Sequence, residues 1–136
     1  MNLIPQNNKR LFGYNDLFMS FKDLYDKNQL PNKIIFSGNK GIGKSTFAYH
    51  LINYIFSINE KNKYNFNENL ILEKNYSYNL ISNNTHPNFF LISNNDNANA
   101  IQVSKVREMI YFTNKSSFND GCKIILIDNI ENLNIN

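Results

Sequence analysis

Between Asn15 and Asn28, Leu17, Phe21 and Leu24 recur at i, i+4 and i+7, and Phe18 and Tyr25 widen the apolar stripe. That spacing predicts a helix, with Asn15 as its N-cap. Pro31 ends it. Lys33-Ile34-Ile35-Phe36-Ser37 follows, a short β-rich run of the kind buried on both faces of a parallel sheet. From Lys44 the pattern returns to a helical period, with Phe47, Ala48, Leu51, Ile55 and Phe56 on the core side.

Ser57 to Thr85 is harder to read. Glu60 to Asn69 is polar and predicts a loop, while Leu70 to Leu80 has the length of a helix but a poor period. Pro87 then sets up a second strand, Asn88-Phe89-Phe90-Leu91-Ile92. A polar loop through Asn94 to Asn99 leads to a helix over Val103 to Phe112, where Val103, Val106, Met109 and Ile110 form the inward stripe. Asp120-Gly121 turns the chain into a third strand, Lys123 to Ile127, which ends at Asp128. Strands alternating with helices predict an α/β fold with a mainly parallel sheet and right-handed crossovers, in one domain spanning residues 1–136.

Composition adds little to this picture. The chain has 136 residues, enough to bury a core. A hydrophobic share of 42% with 18% charged residues belongs to a globular protein rather than a disordered one. Asparagine makes up about a fifth of the residues. The net charge of +3 is small and its lysines and arginines are scattered, so charge selects no partner. The single cysteine, Cys122, excludes an internal disulfide and reads as a small core residue. No apolar run approaches the roughly 18 residues of a membrane span. The start lacks the basic and apolar regions of a signal peptide, so the expected location is cytoplasmic.

The chemistry concentrates at Gly38-Asn39-Lys40-Gly41-Ile42-Gly43-Lys44-Ser45, which fits G-x-x-x-x-G-K-[ST] without a mismatch. A triphosphate is a dense anion that needs many donors at close range. The glycines let successive N–H groups turn inward, and the helix that starts near Lys44 adds its positive end. Lys44 is expected to reach the β- and γ-phosphates, and Ser45, beside Thr46, to complete the shell of Mg2+. A chain of this length meets the pattern by accident on the order of a few times in a thousand, so ATP binding is the expectation. Asp128, at the end of its strand, is expected to hold Mg2+ in the crevice above the sheet. Hydrolysis further needs a carboxylate to polarise water. Asn129 cannot act as one, which leaves Glu131 as the candidate catalytic residue. His86 reads as a structural loop residue. Leu11-Phe12-Gly13-Tyr14 reads equally as a cover for adenine or as a hydrophobic lead-in to the first helix.

Together these segments resemble the delta-prime subunits of bacterial DNA polymerase III, clamp-loader components of the AAA+ class. The likeness runs through Leu11 to Tyr14, Gly38 to Ala48, His86-Pro87-Asn88-Phe89, Ile101 to Glu108 and Gly121 to Asn134. It implies a pentameric ATPase that opens a sliding clamp and closes it on primed DNA, with other clamp-loader subunits as partners. It further implies a stator role with little hydrolysis, in keeping with Asn129 after Asp128. A hydrolysing gamma- or tau-like motor, or another AAA+ remodelling ATPase, is the alternative. The cysteines of a zinc module found in related subunits are missing here. Family members continue past Asn134 with a sensor strand, lid and collar domain. Residues 1–136 therefore read as the N-terminal part of an AAA+ ATPase domain, truncated before the sensor strand and marginally stable alone.

Overall fold

Aromatic side chains organise the first part of the chain around one helix. In the computed structural model, which describes residues 4–93 and 103–130, the chain divides into two compact units, Met1–Ser82 and Asn83–Asn136. The first holds helices α1 (Asn15–Asp26), α2 (Lys44–Ser57) and α3 (Tyr76–Ser82). The second holds β1 (Phe89–Ile92), α4 (Val103–Asn114) and β2 (Ile124–Ile127). The protein is α/β, with four helices and a parallel pair of strands among the described residues.

In the first unit α2 is buried nearly all round. Phe47, Ala48, Leu51 and Ile55 are in the core as the periodicity predicts, and Tyr49, His50, Ile52, Asn53 and Tyr54 join them. A helix apolar on most sides belongs inside a layer rather than on it. Phe18 of α1 is fully buried, with ring centroids 5.7 Å from Phe47, 5.3 Å from Tyr64 and 5.9 Å from Phe66. Such edge-to-face and offset pairs add to the area they bury. The stripe of α1 is therefore centred on Phe18 and Phe21. Leu17, expected inward, is exposed, and Asn15 is the first helical residue rather than the cap, a position Tyr14 takes in a left-handed conformation.

Lys33 to Ser37 does not form a strand. An extended run becomes one only through a ladder of backbone hydrogen bonds, and among the described residues none reaches this segment. Ile34 and Phe36 are half-buried, Phe36 lying 5.2 Å from Phe47, while Ile35 between them is 78% exposed. The segment packs on one face, not on both.

Residues 57–82 belong to the core of this unit. Leu70 forms isolated antiparallel bridges to Arg10 and Asn65, Ile71 N–H donates to Lys9 O, and Tyr64 and Ile71 are buried. The helix in this stretch is short, seven residues at its end.

The second unit pairs β1 with β2 in parallel, Phe89 opposite Ile124 and Ile92 opposite Ile127. Phe89 and Ile92 are buried, whereas β2 is half-buried at every position. On α4 the inward stripe is Val106, Met109 and Phe112, with Phe112 5.4 Å from Phe90. Val103 and Ile110, expected with it, are exposed. Cys122, expected in the core, is exposed. The loop expected at residues 94–99 lies outside the described residues.

Candidate functional site

Gly38 to Ser45 connects residues 33–37 to α2. Gly38, Gly41 and Gly43 have φ of 149°, 87° and 92°. A side chain at Gly41 or Gly43 would be strained by its backbone alone, although neither position is crowded. Gly43 is the N-cap of α2 and has no side chain with which to cap it. The first intrahelical bond runs from Phe47 N–H to Gly43 O, at 2.9 Å. The amides of Lys44, Ser45 and Thr46 precede that bond, at the positive end of the helix.

Lys44 curls back over the loop. Its ammonium donates to the carbonyls of Gly38 at 2.7 Å and Asn39 at 2.9 Å, and no carboxylate pairs with it among the described residues. A lysine has three donors, so one remains after the two carbonyls. Among the described residues the charge is thus uncompensated, and it lies across the loop at the head of the helix. This donor set is of the kind a dense anion requires. Lys40 and Asn39 are exposed, Ile42 is exposed at 44%, and Ser45 and Thr46 are half-buried at the helix start.

The segment ahead of α1 divides between roles. Leu11 is buried and its N–H donates to Asn69 O at 3.0 Å, so its side chain belongs to the core. Phe12 is exposed, with the Arg10 guanidinium 5.7 Å from its ring centre. Gly13 turns with φ of 71°. Tyr14, named by the sequence only as the end of the Leu11 to Tyr14 segment, makes the direct contact with the glycine loop: its hydroxyl donates to Ile42 O at 2.5 Å. A tyrosine three residues before a helical stripe has no periodic signature of such a role, so the sequence alone could not single it out.

In the second unit Asp128 is half-buried and its N–H donates to Ile92 O at 2.9 Å, which extends the parallel ladder by one bond. One of its carboxylate oxygens accepts from Asn129 N–H at 3.1 Å, and Asn129 takes a left-handed φ of 55°. The strand end therefore turns sharply at Asp128. His86 has a turn role, its Nδ1 accepting from Asn88 N–H at 3.2 Å and its carbonyl from Phe89 N–H. Glu131 lies outside the described residues.

His50 on α2 is the most buried ionisable group among the described residues. Its Nε2 faces Asn8 O at 2.9 Å and its Nδ1 faces the Tyr64 hydroxyl at 2.8 Å. A carbonyl only accepts, so Nε2 carries the proton and Nδ1 accepts from Tyr64. Burial holds the His50 pKa down to about 4, against the opposing pull of the Asn8 carbonyl. Burial likewise pushes the Tyr64 hydroxyl up.

The fold and this geometry define an α/β protein in which a glycine-rich loop opens onto the head of a deeply buried helix. Residues 13–136 match the family described as DNA polymerase III, delta subunit. The match covers nearly the whole chain, and the chain belongs to that family of clamp-loader-related DNA polymerase III subunits. None of the curated proteins matches it. Among the described residues no helix is long and apolar enough to cross a membrane.

Proposed function

We propose that this chain is a delta-prime-like subunit that binds ATP and Mg2+ through Gly38 to Ser45 and works in the cytoplasm, helping to load the sliding clamp onto primed DNA. The observation that carries the nucleotide reading is the Lys44 ammonium, laid over the Gly38 and Asn39 carbonyls at the amino end of α2 without a carboxylate partner among the described residues. Bound ATP supplies a dense negative charge. Lys44 and the amides that open α2 would receive it, and the Ser45 hydroxyl would serve the metal. Asn129 follows Asp128, where a water-polarising carboxylate would be needed, and this favours a stator that hydrolyses little. Its partners would be the other clamp-loader subunits and the clamp, with DNA met through the assembly.

Lys44→Ala removes charge-assisted hydrogen bonds and is expected to weaken Mg-ATP binding by about 10- to 100-fold in calorimetry. Equal affinity in the variant would contradict the loop assignment. Turnover separates stator from motor. Sustained ATP hydrolysis by the complete subunit, lost in Glu131→Gln, would make it a hydrolysing motor instead.

A further inference from the structure

We infer that Tyr14 is a positioning residue for the glycine loop, holding the Ile42–Gly43 peptide in the one orientation that presents the Gly43 amide to an anion. This deepens the nucleotide-binding reading and rests on it for the identity of the anion.

The problem Tyr14 solves comes from glycine itself. A phosphate-holding loop must turn its N–H groups to one side and its carbonyls to the other. The peptide unit is planar and trans, so fixing the carbonyl also fixes the N–H on the opposite side. Gly43, with φ of 92°, is the residue that makes this backbone accessible. The same freedom lets the Ile42–Gly43 peptide rotate at little cost, which would exchange N–H for carbonyl at the site. An outward restraint on the Ile42 carbonyl is needed, and Tyr14 supplies it with the 2.5 Å hydrogen bond from its hydroxyl.

Three further observations show the ring held in place for this contact. Gly13 and Tyr14 take successive left-handed conformations, φ 71° and 58°, which a bulky residue such as tyrosine rarely adopts. The Tyr14 carbonyl accepts the Phe18 N–H at 2.8 Å, so the start of α1 locks that backbone. The ring stands edge-on to Phe47 with centroids 5.8 Å apart, and its Cε2 lies 3.8 Å from where a Cβ on Gly43 would be. Phe47 is the first residue of α2 to make an intrahelical bond, so Tyr14 braces the loop and the helix head together.

Tyr14→Phe in the full-length protein keeps the ring and removes only the hydroxyl. The expected result is a three- to tenfold weaker Mg-ATP affinity, about the effect of one hydrogen bond. In nucleotide-free protein the Gly43 amide should show greater conformational exchange in NMR relaxation dispersion, with the melting temperature little changed. A lower melting temperature with unchanged Gly43 exchange would mean a packing role only and would overturn the inference. So would unchanged affinity and exchange in a protein whose wild type binds Mg-ATP and whose Lys44→Ala variant does not. If the wild type binds no ATP, the nucleotide reading falls by itself. Gly43 conformational exchange then decides on Tyr14: an increase sustains its hold on the loop, and no change ends it.

Discussion

His50 couples three segments that are distant in sequence: the backbone at Asn8, helix α2 and the loop that carries Tyr64. With both ring nitrogens engaged and no water-facing surface, the neutral form is favoured in the folded protein, and protonation waits until about pH 4. In the unfolded chain the same group takes its proton near its ordinary 6.5. Between these values the unfolded state binds more protons, so stability falls as the pH drops through the window and levels off below it. The gap amounts to about 3 kcal/mol. His50→Gln should flatten this acid slope, whatever its effect on stability at pH 7.5. Urea midpoints at pH 7.5 and 4.5 for both proteins check this, and parallel slopes would count against it. Histidine at position 50 lies on the helical face that the apolar period leaves polar, so the sequence gives no sign that it is buried.

At the level of elements, the sequence pattern located α1, α2, α4, β1 and β2, because apolar side chains recur or run together in each. Residues 57–82 escaped it for a physical reason. They are held by side chains that reach across the sequence, and such bonds have no period. Asn53 Nδ2 donates to Asn75 Oδ1, Asn75 Nδ2 donates to Asn62 O, and Asn69 Nδ2 donates to Asn15 Oδ1. Part of the chain's high asparagine content is thus structural. Helix α3 shows the same logic, since Glu60 lies sixteen residues before it yet accepts from Tyr76 N–H, Ser77 N–H and Ser77 Oγ. A carboxylate over the open amides of a helix start serves as a cap supplied from a distance. Glu60→Ala should therefore cost about 1–2 kcal/mol in chemical denaturation, the range of a lost cap. No measurable change would mean that water serves those amides equally well. The segment Lys33 to Ser37 failed in the opposite sense. Its composition suits a strand, but composition does not supply the ladder partner.

Across the whole molecule, apolar burial is uneven. The first unit places Phe18, Phe47, Leu51, Ile52, Ile55, Tyr64 and Ile71 in its core, around a helix with ten buried residues. In the second, α4 buries none of its residues, β2 is half-buried throughout, and Val103, Ile110 and Tyr111 stand exposed. Local opening is easiest where few apolar contacts must break and the backbone bonds face water. Hydrogen exchange on the 136-residue chain should therefore show α2 amides exchanging only with complete unfolding of the first unit, while α4 amides exchange by local opening at much lower denaturant. Thermal unfolding should be broad, or in two steps, rather than a single sharp transition. One sharp transition, with α2 and α4 equally protected, would contradict this ordering. The glycine loop and its tyrosine belong to the better-packed part, so nucleotide affinity should persist under mild denaturant after α4 has lost its protection. That ordering makes the loop a property of the aromatic core beneath it. A site that holds a mobile polyphosphate with flexible glycines needs such a base, because every amide it aligns must be kept aligned by something that does not itself give way.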